Sequence, residues 1–253
     1  MKQDRDMPLI EHLTELRRRV IWVLVVFALA VILGFVVSKP IIVYLKSVPP
    51  ANGITWNVFS PWEPLRIYMN VAFVIGLIIS LPVTLYHIWA FVKPGLREEE
   101  RKASIKYIPF AFLMFLLGLA FGYYVVFPMA FYFTTTITQS LSLTETYGIA
   151  QYFSFMFNIL IPLSIVFEMP IIVMFLTKLR LLNPERLHKM RKLSYMMIVI
   201  VSTIITPSPD AVTALIVAVP MVVLYELSVY LSKVVYRKQA EQDLVWEAEF
   251  GTK

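Results

Sequence analysis

Between Glu145 and Lys178 the chain carries one charged side chain, Glu168, and Pro170 follows it two residues later. The run from Ile159 to Thr177 is otherwise almost wholly apolar. At ~1.5 Å per residue the segment from Glu168 to Lys178 is roughly 15 Å long. If Lys178 marks a membrane surface, Glu168 lies near the middle of a ~30 Å hydrocarbon core. An acid there is costly, so it must face protein, a wet cavity or a partner. Few folds other than a multispanning helical membrane protein accommodate such a stretch.

The remainder of the chain agrees. Of 253 residues, 58% are hydrophobic and 16% charged, and the mean hydropathy is +0.71. That is more apolar surface than a water-soluble domain of this length needs. The absence of cysteine excludes a disulfide framework and thiolate metal chemistry. Arg17, Arg18 and Arg19 before an apolar run, with Ala28-Leu29-Ala30 inside it, imitate a secretory signal. The run continues to Val37, however, as a retained span does.

In order, residues 1–19 read as a polar amphipathic leader, with Asp6 as cap, Pro8 in the first turn and Leu9, Leu13 and Leu16 on one side. The transmembrane domain is expected over 20–231. Its helices are placed at about 20–37, 61–92, 104–127, 151–179, 192–205 and 211–231, and the tail 232–253 is polar and frayed. Ser38-Lys39-Pro40 ends the first helix. Ser60-Pro61-Trp62-Glu63 is a capping box opening the second, and Asp210 caps the sixth. A loop is expected around 135–150. The fifth helix, at about 14 residues or ~21 Å, is too short for a ~30 Å core. Its hairpin with the sixth should thin the bilayer. Pro82, Pro109, Pro128, Pro162, Pro170 and Pro220 predict kinked spans. No internal repeat is evident, which weighs against inverted-repeat transporter folds.

All but three of the 23 basic residues, the exceptions being Lys39, Lys46 and Arg66, fall in the leader, in 93–106, in 178–192 or in the tail. The positive-inside rule then places both termini in the cytoplasm and requires an even number of spans, which six satisfies. The net charge of +6 is thus a topological signal and not a sign of nucleic acid as a partner.

Catalytic patterns are lacking: there is no G-x-x-x-x-G-K-[ST], H-E-x-x-H or G-x-S-x-G, and His12, His87 and His188 are far apart. The chain reads as a non-enzyme with no metal or cofactor. Glu168 supports three readings. It could be a proton site in a small-solute carrier, a structural acid bonded to Ser154, Ser164 or a neighbouring helix, or a polar docking point facing a groove. Glu11 and Glu15 lie one turn apart, and Glu98-Glu99-Glu100 opens the third helix. Glu15 with Arg19 and Glu98 with Lys102 are i,i+4 pairs, so these acids are either ordinary surface pairs or a carboxylate patch for a cationic ligand. Gly118 and Gly122 form a G-x-x-x-G that allows close backbone approach, within the protein more readily than between copies.

Several motifs occur together in order: PLIEHLTELRRR (Pro8–Arg19), SPWEPL (Ser60–Leu65), LPVTLYHIWAFVKPGL (Leu81–Leu96) and GLAFGYYVVFPMAF (Gly118–Phe131). YFSFMF (Tyr152–Phe157), FEMPI (Phe167–Ile171), TPSPD and AVPMVVLYE (Ala218–Glu226) follow. With these the chain resembles the TatC family, the core subunit of the twin-arginine protein translocase, over nearly its whole length. The resemblance implies six helices forming a curved, concave wall in a prokaryotic cytoplasmic membrane, with no catalytic centre. It implies a receptor for twin-arginine signal peptides of folded precursors, export powered by the proton motive force, and self-association in a multi-copy complex in membrane lipid. Glu15, Arg17, Phe91, Pro94 and Glu100 match the family's signal-peptide site, with Glu15 and Glu100 receiving the arginine pair. Glu168 matches the acid where the single-span partners TatA or TatB dock. Two positions depart from the family pattern: Ala214 stands where many relatives carry a polar residue, and the TPSPD turn lacks adjacent prolines. No role is carried over to Ala214.

Overall fold

The computed structural model describes residues 9–95, 101, 105–206 and 211–250. Among the described residues, five helical stretches are long and apolar enough to cross a membrane: His12–Ser47, Glu63–Val92, Tyr107–Ser140, Ile149–Lys178 and Ala211–Glu241. Their outward faces carry Ile32, Val36, Phe110, Ile172 and Val219, all exposed. Such a surface is stable when hydrocarbon is the solvent.

Helix α1 runs unbroken over Leu9–Ser47, or ~58 Å at 1.5 Å per residue. The leader and first span are therefore one rod, and Ser38-Lys39-Pro40 does not end it as expected. Pro40 sits inside the helix, while Ser38, fully buried, donates its hydroxyl to Gly34 O at 2.7 Å and lies 3.3 Å from Tyr68 O. Helix α2, Glu63–Val92, packs along α1 so closely that a Cβ on Gly34 would stand 2.7 Å from Ala72 O. Its start also differs from the expected capping box. No side chain caps it; Glu63 Oε2 instead accepts from Phe59 N at 3.2 Å and Oε1 from Gln151 Nε2 at 3.3 Å. A 3-10 turn, Lys93–Gly95, follows α2.

The third rod comprises α3 (Tyr107–Phe121), a π turn (Gly122–Val126) and α4 (Phe127–Ser140). It runs well past the expected end at 127. Pro128 cannot donate to Tyr124 O, and the wider π turn absorbs that defect without ending the helix. The threonine-rich stretch read as the start of a loop is helical, with its hydroxyls bonded back into the helix: Thr134 to Phe131 O at 2.8 Å, Thr138 to Thr134 O at 3.0 Å. Beyond it, Tyr147–Gly148 (β2) pairs in parallel with Trp56–Asn57 (β1), a two-residue ladder in an otherwise all-helical fold. It ties the two connections on this face together. Burial and a 2.8 Å hydrogen bond to Glu145 hold the Tyr147 hydroxyl above its ordinary pKa.

Helix α5, Ile149–Phe167, is the hub of the core: Phe153, Met156, Ile159 and Leu163 are buried along one face. Gly118 of α3 meets it where a Cβ would lie 2.7 Å from Ser164 Cα. The small-residue motif therefore serves packing inside the chain. Glu168 separates α5 from α6, Met169–Lys178. Pro170 has no N–H for Val166 O, and the ladder tightens to Glu168 N→Ile165 O at 3.1 Å.

The short helix α7 (Pro184–Lys189) occupies the charged connection, and α8 (Arg191–Ile205, 15 residues) returns into the bundle. Residues 207–210, with the TPSPD turn and the Asp210 cap, lie outside the described residues, as do Asp6 and Pro8. Helix α9 is continuous over Ala211–Phe250, so the expected frayed tail from 232 is helical instead. Its polar side chains are engaged: Ser232 Oγ lies 2.7 Å from Thr177 Oγ1, and Gln239 Nε2 donates to Lys178 O at 2.8 Å. Lys178 is accordingly buried against α9 at the end of its span.

Candidate functional site

The foot of α1 meets the end of α2 through a flat stack: the His12 and Phe91 rings are 4.2 Å apart at 18°. Glu15 is one turn beyond His12, on the same side of α1. Its Oε1 accepts from Arg19 Nε at 2.9 Å and also from Arg19 Nη2. Its Oε2 is buried and has no hydrogen-bond partner among the described residues. Arg17 and Arg18 are exposed; Phe91 and Pro94 are half-buried. Arg101 Nε donates to Lys93 O at 3.0 Å, and Lys93 Nζ sits 5.6 Å from the Trp89 ring. These contacts hold the turn that carries Pro94. Glu100, like Glu98 and Glu99, lies outside the described residues.

The structure thus gathers the α1 foot, Phe91 and the Pro94 turn at one end of the α1–α2 hairpin. His12 is the residue that sequence reasoning left unused. Its signal was position, three residues before Glu15 and on the same face.

Glu168 is 7% exposed, and its Oε1 finds no partner among the described residues. The expected structural bond to Ser154 or Ser164 is not made. Ser164 Oγ donates instead to Leu160 O at 2.6 Å, and Ser154 Oγ is itself unpartnered among the described residues. A second acid, Glu226 of α9, accepts from Arg191 Nη2 at 2.6 Å and from Tyr195 OH at 2.5 Å, locking α8 against α9. Both partners come from α8, so spacing along α9 gave no sign of them. An open groove of about 430 Å³ lies at the far end of α8, lined by Phe157, Asn158, Ile161, Pro162, Ile204 and Ile205.

Taken together, these features define a multispanning helical membrane protein with Glu168 buried inside the bundle. Comparison with known proteins names the family. The model of the Sec-independent protein translocase protein (TatC) matches residues 11–220. A Halalkalibacterium halodurans protein named Sec-independent protein translocase protein TatC is 41% identical over 98% of this chain and 97% of its own length. TatCy of Bacillus subtilis is 44% identical over 92% and 91%, and TatC of Escherichia coli 33% over the same shares. A crystal structure described as the twin arginine translocase receptor TatC superposes with a TM-score of 0.74 at 33% identity, covering 88% of this chain and 99% of that one. The chain belongs to the TatC family: it is a Sec-independent protein translocase component, a transport protein and not an enzyme.

Proposed function

We propose that the chain is the signal-peptide receptor of a twin-arginine translocase, binding the arginine pair of folded precursors through Glu15 and Glu100. Arg17, Phe91 and Pro94 shape the surrounding edge. The observation that carries this reading is the Glu15 carboxylate, held next to the His12–Phe91 stack with one oxygen unpartnered among the described residues. A carboxylate with a spare oxygen suits a guanidinium, which donates in a fork. Export draws on the proton motive force, in a multi-copy assembly embedded in lipid.

In this reading α8 is the sixth, short traverse. The wall is curved and concave, both termini face the cytoplasm of a prokaryote, and the membrane is the cytoplasmic one. The antiparallel contact of α8 with α9, with Tyr195 and Tyr225 rings 5.9 Å apart, supports this. So does Ile205, packed at the level of Phe157 and Pro162. TatA or TatB docks from the membrane at Glu168. Family membership favours this function over the proton-coupled solute carrier.

Equilibrium binding of a twin-arginine signal peptide to the full-length protein in nanodiscs tests the site. Glu15→Gln with Glu100→Gln is expected to weaken binding about 10- to 100-fold, the worth of charge-assisted hydrogen bonds. Unchanged binding in that double variant removes the assignment. Glu168→Ala should leave peptide binding intact and abolish co-purification of TatA or TatB.

A further inference from the structure

We infer that Arg19 is an internal occupant of the Glu15 carboxylate, which an incoming guanidinium must displace. This rests on the reading of Glu15 as an arginine receptor and adds a competitor built into the same helix. The pair is about three-quarters buried, with side-chain exposures of 24% and 25%, so water screens it only in part.

The geometry of the pair carries the inference. A carboxylate can take a guanidinium on both oxygens, one N–H to each. Here Arg19 places Nε and Nη2 on the same oxygen, Oε1, and leaves Oε2 buried without a partner among the described residues. Arg19, one turn along the same helix, engages Oε1 alone. An incoming guanidinium that displaces Arg19 gains the second oxygen as Oε2 is uncovered. The His12–Phe91 stack, one turn earlier, holds this face of α1 against α2. Arg19 therefore neutralises the acid at rest and makes the weaker of the two possible arginine complexes. It sets the affinity that a ligand must exceed.

Fluorescence titration of a labelled twin-arginine signal peptide against the full-length protein in nanodiscs tests this, with thermal melts confirming that each variant is folded. Arg19→Gln is expected to tighten binding about twofold, the worth of an i,i+4 pair of this kind. Arg18→Gln makes the same change in net charge one residue away and should tighten it less. Arg19→Lys, which keeps the charge without the fork, should fall between wild type and Arg19→Gln. Glu15→Gln combined with Arg19→Gln should bind no tighter than Glu15→Gln alone. If Arg19→Gln weakens binding or leaves it unchanged while Glu15→Gln weakens it, Arg19 is not a competitor, although Glu15 remains the receptor. Equal gains from Arg18→Gln and Arg19→Gln reduce the effect to bulk charge and also overturn the inference. If Glu15→Gln binds like wild type, the receptor reading and this inference fall together.

Discussion

Glu15 and Glu168 are the same side chain held in opposite ways. Glu15 sits on an unbroken helix, with Arg19 one turn away as counter-charge and a quarter of its side chain in contact with solvent. Glu168 sits where a helix breaks, 7% exposed, with an oxygen that no described residue satisfies. Close to water, local spacing is enough to supply a partner, and the partner is exchangeable. Inside the bundle no counter-charge is provided among the described residues, and packing positions the acid: Pro170 breaks the ladder, and Gly118 lets α3 approach the turn before it. The first arrangement suits a ligand that arrives charged. The second suits a partner that supplies a hydrogen bond from within the membrane.

The packing half of this comparison can be broken most severely at Gly118. A Cβ there would stand 2.7 Å from Ser164 Cα and 2.9 Å from Phe167 Cβ, so α5 must shift next to Glu168. Gly118→Val is expected to cost about 3 kcal/mol, the upper range for overpacking. The measurement is loss of thermal stability in detergent, with signal-peptide affinity of the folded fraction unchanged. A loss below about 1 kcal/mol would mean that the turn yields and that packing does not position Glu168.

Replacing Glu168 itself should act in the other direction. A buried oxygen without a partner costs roughly 1–3 kcal/mol, and functional sites commonly retain such costs. Glu168→Leu is therefore expected to stabilise the isolated protein by about 1 kcal/mol while abolishing export of a twin-arginine precursor from intact cells. A destabilised Leu variant would show that Glu168 holds the fold, returning it to a structural role.

The division between local and long-range order also governs what could be read from the chain. The Glu15–Arg19 pair was legible because i,i+4 neighbours share a helix face, and the apolar runs of α2 and α5 were legible because each is nearly charge-free. The rods extend beyond their expected ends for reasons that local pattern does not carry. Ser38, read as part of a helix stop, is instead buried with its hydroxyl on Gly34 O and close to Tyr68 O of α2. The polar end of α9 stays ordered because Thr177 and Lys178, far away in sequence, bond to Ser232 and Gln239. The β1–β2 link joins two connections separated by two full rods. In the site, the motif pointed to Glu15 and Phe91, but the ring that joins their helices, His12, became visible only once α1 and α2 were packed.

The smallest effect is the most discriminating for the water-facing half of the comparison. Glu15→Gln keeps the shape of the side chain and an oxygen that can still accept from Arg19, so only the charge is lost. Exposed or half-exposed i,i+4 pairs contribute about 0.3–0.5 kcal/mol. The expected change in unfolding free energy is therefore no larger than about 0.5 kcal/mol, and it should shrink further at 1 M salt, where the screening length falls to about 3 Å. Circular-dichroism melts at low and high salt measure it. The same substitution is expected to reduce signal-peptide binding strongly, so its stability and function effects should separate. A stability loss above about 2 kcal/mol would make Glu15–Arg19 a buried structural pair. The contrast between an exchangeable acid at the surface and a packed acid in the bundle would then collapse into two structural acids.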